Sequence, residues 1–232
     1  MAGMVARIDQ IIAERGFAQH AAINAAKIVA MRHDGELERI VRTCELVSAD
    51  GQSIVWASRL LHDPLPTRVT GIDLMQELLA LAERRGYRVF ILGAKDDVLA
   101  TAIQRIRDRH PALVVAGARD GYFSDEEAGA VADEVASYRP DIVFVAMPSP
   151  RKEYWLGQHG RRLGAPFVMG VGGSVDVLAG HVRRAPVVLQ RLGLEWSFRL
   201  AQEPRRLFGR YLATNTRFIA YVAREAVRRR DA

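Results

Sequence analysis

Asp141-Ile142-Val143-Phe144-Val145-Ala146 decides the fold. Five consecutive apolar residues, with no polar alternation, read as a strand covered on both faces, as in a parallel sheet. Met147-Pro148-Ser149-Pro150-Arg151-Lys152-Glu153 follows as a loop and a helix start. Pro150 suits a first helical position, which leaves the N–H groups after it free for an anion. Upstream, Arg88 to Leu92 is a strand turned by Gly93, and Asp97 to Arg109 is a helix. Ala112 to Ala116 is a strand, and the capping box Ser124-Asp125-Glu126-Glu127 opens a helix to about Tyr138. Downstream, Arg151 to Leu163 is a helix and Phe167 begins another strand. Strand, glycine and helix in alternation predict an α/β fold: a Rossmann-like, doubly wound, mostly parallel sheet.

The N-terminal part fits the same scheme. Residues 1–19 are an amphipathic helix with Ile8, Ile11 and Ile12 on one side, and a short strand ends at Asn24. Helices cover Ala25 to Met31 and Glu36 to Arg42, and a strand covers Leu46 to Ser48 with Asp50-Gly51 in its turn. Another helix runs from Ser53 to Leu61 before the proline loop at Pro64 and Pro66. After Pro186 the pattern changes to helix interrupted at Gly193, Pro204 and Gly209. The expected division is a Rossmann-like domain over 1–186 and a helical, arginine-rich appendage over 187–232.

Charge sharpens that division. The chain of 232 residues carries a net +6, but Arg183 to Arg230 holds 12 arginines against 3 glutamates. The remainder has more acids than bases, so the basic character belongs to the appendage. Its partner is expected to be anionic, and its apolar spacing, with Trp196, Phe198, Phe208 and Phe218, suits a membrane interface better than nucleic acid. Single Cys44 rules out an internal disulfide framework and fits a reducing compartment. No stretch approaches the roughly 20 apolar residues of a membrane span, and no signal peptide is visible. The expectation is a cytoplasmic protein, peripheral on the membrane. The six histidines and the cysteine show no metal-ligand spacing, so no metal is expected. A Walker-type phosphate loop and a Gly-x-Ser-x-Gly elbow are both absent.

The most suggestive turn is Gly170-Val171-Gly172-Gly173-Ser174-Val175-Asp176 after the strand beginning at Phe167. Glycines allow close backbone approach to a phosphate, although a tight strand-to-helix turn needs them equally. With Asn24, Asp50-Gly51, Gly93 and Met147 to Glu153, it belongs to a set of turns that follow strands, where open α/β sheets bind ligands. Asp50 could act as a general base, though an Asp-Gly turn forms without one. Arg68, between a proline loop and a helix, could clamp an anion.

Taken together these stretches resemble the WecG/TagA/CpsF family of bacterial glycosyltransferases. The resemblance is carried by Asn24, Ala49-Asp50-Gly51, Arg68-Val69-Thr70-Gly71, Phe90 to Gly93, Gly121-Tyr122-Phe123 and Pro150 to Trp155. It continues through Gly170 to Asp176, Ala179-Gly180, Arg184-Ala185-Pro186, Leu194-Glu195-Trp196, Arg199-Leu200, Glu203-Pro204-Arg205 and Arg210-Tyr211. It implies transfer of a sugar from a UDP-sugar to a lipid-diphosphate-linked (polyprenyl) saccharide, with inversion, without a cofactor or obligatory metal, in cell-surface polysaccharide synthesis. It puts the catalytic aspartate on Asp50 and the active-site arginine on Arg68. Arginines neutralising the leaving diphosphate fall on Arg199, Arg205, Arg206 and Arg210. Substrate contacts are expected at Asn24, Gly93, Pro150, Lys152, Glu153, Gly170, Gly172, Gly173 and Asp176.

Two motifs depart from the family. Ala22-Ile23-Asn24 stands where Thr-x-Asn is frequent, and Lys152 stands in place of a glutamine. The added cation fits a hexose or uronic acid donor as well as a hexosamine. A dinucleotide-dependent oxidoreductase and a nucleic-acid-binding protein are the other readings. The missing third glycine of a dinucleotide fingerprint counts against the first. The sugar, the acceptor and the oligomeric state, a homo-oligomer included, are left open by the sequence.

Overall fold

A computed structural model of the chain describes residues 1–230. The elements in order are α1 (Ala2–Ala13), β1 (Ala18–Ile23), α2 (Ala25–Met31), α3 (Gly35–Arg42), β2 (Leu46–Ala49), α4 (Gln52–Leu60) and α5 (Gly71–Arg85). They continue as β3 (Arg88–Gly93), α6 (Asp96–Arg109), β4 (Val114–Arg119), α7 (Ala128–Ser137), β5 (Ile142–Ala146), α8 (Arg151–His159), a 3₁₀ turn, β6 (Phe167–Gly170) and α9 (Ser174–Leu178). Three helices close the chain: α10 (Val187–Arg191), α11 (Glu195–Gln202) and α12 (Pro204–Arg230).

The six strands form one parallel sheet in the order β2-β1-β6-β5-β3-β4. β5 lies between β3 and β6, and all five of its residues except Ala146 are buried, as its unbroken apolar run requires. Register levels the strand ends: Gly93 pairs with Ala146, and Val145 with Gly170. The chain moves from β3 outward to β4 but from β5 the opposite way to β6. With right-handed crossovers, α6 and α8 therefore cover opposite faces, and the carboxyl ends of β3 and β5 border a topological switch point.

The chain forms two compact units: Met1–Ala21, Arg39–Val47 and Gly71–Val182 make the first, and Ala22–Glu38, Ser48–Thr70 and Arg183–Ala232 the second. In the first, Phe90, Leu92, Val143, Val145 and Val168 pack with Val131 and Val135 of α7 and Trp155 and Leu156 of α8. In the second, Phe218 of α12 packs with Ala25 and Val29 of α2, flanked by Ile54, Ala57, Tyr221 and Val222.

Three expectations need correcting. The first helix ends at Ala13 rather than at 19, and β1 already begins at Ala18. β4 spans 114–119 rather than 112–116 and takes in Gly117. A side chain there would lie 2.8 Å from the rings of both Phe90 and Tyr138, so this glycine lets two aromatic rings close over the strand. Gly209 does not interrupt the last helix, since α12 runs from Pro204 to Arg230. One interior glycine costs only about 1 kcal/mol against alanine, which a helix anchored by Phe218 can absorb. Gly193 and Pro204 do mark breaks, Gly193 at φ +73° and Pro204 as the first residue of α12.

Candidate functional site

In the second unit the ends of β1 and β2 bring Asn24 and Asp50 together. Asn24 caps α2, its side-chain oxygen accepting the Lys27 N–H at 3.0 Å. The Asp50 N–H donates to the Ile23 carbonyl at 2.8 Å. A Cβ on Gly51 would lie 3.8 Å from the Asn24 Cβ. Asp50 is half-buried, at the carboxyl end of a parallel strand where a base can meet a ligand.

Arg68 joins this pair through the backbone. The Val69 N–H donates to the Ala49 carbonyl at 2.9 Å, and the Ser48 hydroxyl donates to the Val69 carbonyl at 3.1 Å. These two bonds lay the backbone at Arg68 beside the end of β2, while its side chain turns to α11. The Arg68 guanidinium is mostly buried and donates to Glu195 of α11 at 3.4 Å. Arg184 reaches the other oxygen of the same carboxylate at 3.7 Å. Glu195 and Arg184 stand in the quoted motifs but have no role assigned there, because the Arg68–Glu195 contact, 127 residues apart, leaves no local spacing to read. Arg199 and Arg205 are exposed on α11 and α12. The side chains of Arg206 and Arg210 lie outside the described residues.

In the first unit, Gly93 sits at the switch point with φ +105°. A Cβ there would lie 2.6 Å from the Ala146 carbonyl oxygen, while the Ala94 N–H donates to that oxygen at 3.1 Å. Pro150 is the N-cap of α8 rather than its first residue. The N–H groups of Lys152, Glu153 and Tyr154 already donate to the carbonyls of Pro148 and Pro150, so fewer amides face outward than the sequence suggested. Lys152 and Glu153 are buried, with Nζ and Oε1 2.8 Å apart. A side chain on Gly170 would meet the Lys152 stem at 3.0 Å, so this glycine makes room for a lysine. Gly172 takes φ +51°, and Gly173 caps α9, which carries Asp176 in its first turn. The Arg151 guanidinium stacks 5.0 Å from the Phe123 ring and donates to the Phe123 carbonyl, which fixes the first turn of α8.

A half-buried carboxylate at the end of a parallel strand can accept a proton, and a mostly buried arginine can hold an anion. Among the described residues, no group of three or more His, Cys, Asp or Glu is disposed to hold a metal ion.

Residues 1–232 match the Glycosyl transferase WecG/TagA/CpsF family over their full length. The chain belongs to this family. It is 37% identical over 169 residues to an N-acetylglucosaminyldiphosphoundecaprenol N-acetyl-beta-D-mannosaminyltransferase of Bacillus spizizenii (strain ATCC 23059 / NRRL B-14472 / W23). That alignment covers 73% of this family member and 65% of the relative, so the chain spans somewhat under two thirds of the length of the curated relative it matches. No helix among the described residues is long and apolar enough to cross a membrane.

Proposed function

We propose that this family member is an inverting, metal-independent glycosyltransferase that moves a sugar from a UDP-sugar to a lipid-diphosphate-linked saccharide in cell-surface polysaccharide synthesis. The observation that supports this reading is that the bond between Val69 and Ala49 brings the backbone next to Arg68 against the end of β2, where Asp50 follows. The relative's name supports a lipid-diphosphate-linked N-acetylglucosamine as the kind of acceptor.

In this reading the Asp50 carboxylate takes the proton of the acceptor hydroxyl as its oxygen attacks the anomeric carbon. The bond from that carbon to the diphosphate breaks on the opposite face, and UDP leaves. Arg68 and the arginines of the C-terminal helices, Arg199 and Arg205 with Arg206 and Arg210, offset the charge that develops on the leaving group. Asn24, Gly93, Pro150, Lys152, Glu153, Gly170, Gly172, Gly173 and Asp176 are assigned to substrate binding.

The C-terminal helices support a peripheral membrane location on the cytoplasmic face. Val187, Val188, Leu192, Trp196, Phe208, Leu212, Ile219 and Val227 are all exposed. At 100° per residue, the last four fall within an arc of about 100° on α12, beside arginine positions 217, 224 and 228. Exposed apolar residues next to arginine suit an anionic lipid surface, at about 1 kcal/mol per basic residue near it.

The test is an assay of membranes with a panel of labelled UDP-sugars, run with Asp50→Asn. The expected result is transfer from one of these donors, lost by about 10²–10⁴-fold in the variant, with UDP binding kept. Turnover that survives the substitution removes Asp50 as the base. Tight NAD binding with none to UDP overturns the whole reading in favour of an oxidoreductase.

A further inference from the structure

The second unit holds two charged residues the reaction above does not use, Glu195 and Arg184. Glu195, in the first turn of α11, lies between two arginines, Arg68 and Arg184. One carboxylate oxygen faces each guanidinium, at 3.4 Å and 3.7 Å. All three side chains are mostly buried, at 15%, 21% and 21% exposure for Arg68, Glu195 and Arg184. Charge-assisted pairs that can relax close to roughly 2.7–2.9 Å. Here neither contact does so, although little water competes for the groups.

The backbone is constrained on both sides of the pair. Arg68 is fixed by the bond from Val69 to Ala49. The turn before α11 is fixed by Gly193, at φ +73°, where a Cβ would lie 2.5 Å from the Gln52 side chain. Between these two anchors the carboxylate spans both guanidiniums without closing on either. A diphosphate is larger and carries more charge, and presents oxygens on two phosphorus atoms. Each guanidinium has five N–H donors in a planar fork suited to such oxygens, and the triad carries a net charge of +1.

We propose that Glu195 is an internal counter-anion occupying the seat that a diphosphate takes between Arg68 and Arg184. It holds the two arginines together without a ligand and competes with the ligand for them. That competition weakens diphosphate binding and speeds release of the product. The inference rests on the reading of Arg68 as the donor-binding arginine. In this role Glu195 is a positioning residue and takes no proton from the substrate.

Glu195→Gln keeps the shape and removes the charge, and Glu195→Asp keeps the charge. Inorganic pyrophosphate and UDP are titrated calorimetrically into the full chain and both variants. Glu195→Gln is expected to bind each about tenfold more tightly, with Glu195→Asp close to the unsubstituted protein. In steady-state assays, KM for the donor and kcat are both expected to fall in Glu195→Gln, the pattern of slowed product release. A merely structural glutamate would instead weaken binding when neutralised. Equal or weaker pyrophosphate binding by Glu195→Gln overturns the proposal, as does tightening by Glu195→Asp to the same extent or no pyrophosphate binding by any of the three proteins. If pyrophosphate behaves as expected but UDP binds no more tightly than pyrophosphate, the counter-anion stands and the sugar-nucleotide reading falls.

Discussion

Gly93 shows how tightly single residues constrain the end of the sheet. Its φ of +105° is open to glycine and costly for other residues, and an added methyl would meet the Ala146 carbonyl oxygen at 2.6 Å. That neighbour is backbone of the buried strand β5 and cannot move aside as a flexible side chain would. Gly93→Ala is therefore expected to destabilise the protein by about 2–4 kcal/mol, measured by urea unfolding. Gly170 is a different case, because the atoms a methyl would meet belong to the Lys152 side chain. A glycine can sit at a ligand-binding turn for the sake of the protein's own packing, and the sequence alone does not separate the two causes. A loss for Gly93→Ala of under 0.5 kcal/mol would show that the strand ends yield more easily than this packing implies.

Among the elements, α1 is tied by one carboxylate to the last residue of α5 and to Tyr87, just before β3. Asp9 accepts from Arg85 at 2.6 Å and from the Tyr87 hydroxyl at 2.7 Å. The Arg85 bond first, then the Tyr87 bond, hold the Asp9 pKa below its ordinary 3.8, and burial with the Asp9 bond pushes Tyr87 up to about 12. A carboxylate with a depressed folded pKa stabilises fully above its unfolded value and loses that contribution as pH falls through the folded one. Asp9→Asn should thus cost about 1–2 kcal/mol at pH 7 and progressively less below about pH 4. Urea unfolding at the two pH values measures both, and a penalty that does not shrink in acid would refute the role given to charge. Much of the architecture at this scale was legible in the chain. The apolar run of β5 predicted its burial, and the Ser124–Glu127 bonds form, Ser124 N–H to Glu127 at 2.7 Å and Glu127 N–H to Ser124 Oγ at 3.3 Å, but they close a turn ahead of α7, which begins only at Ala128. Local rules misplaced β4 and broke α12 at Gly209, because aromatic packing on Gly117 and the Phe218 anchor are tertiary effects. Asp50 and Arg68 could be named from their motifs. The bond from Val69 to Ala49, and the bridge from Arg68 to Glu195, are long-range contacts with no signature in spacing.

For the whole molecule, the decisive question is whether the C-terminal helices bring lipid-linked substrate within reach of the chemistry. Deleting residues 187–232 should abolish transfer to a lipid acceptor, but it is an impure test. It would also remove Phe218 from its cluster with Ala25 and Val29, the Tyr221 contact with His33 and the Arg229 bond to the Leu61 carbonyl. Loss of activity would then be explained equally by an unfolded second unit. Leu212 and Ile219 offer a cleaner route. They are 60% and 66% exposed, and their helical positions lie away from the buried side marked by Phe218. Leu212→Glu combined with Ile219→Glu should leave thermal stability and UDP binding unchanged, because neither side chain contributes to the core. Partition to vesicles rich in phosphatidylglycerol should fall about tenfold or more, since two apolar anchors are lost and two like charges are added at an anionic surface. Transfer to a long-chain polyprenyl-diphosphate acceptor should fall in parallel, while transfer to a short, water-soluble acceptor analogue is retained. Vesicle binding that survives the double substitution would place the lipid contact elsewhere on the chain. A matched loss with both acceptors would instead assign α12 to the chemistry rather than to the membrane.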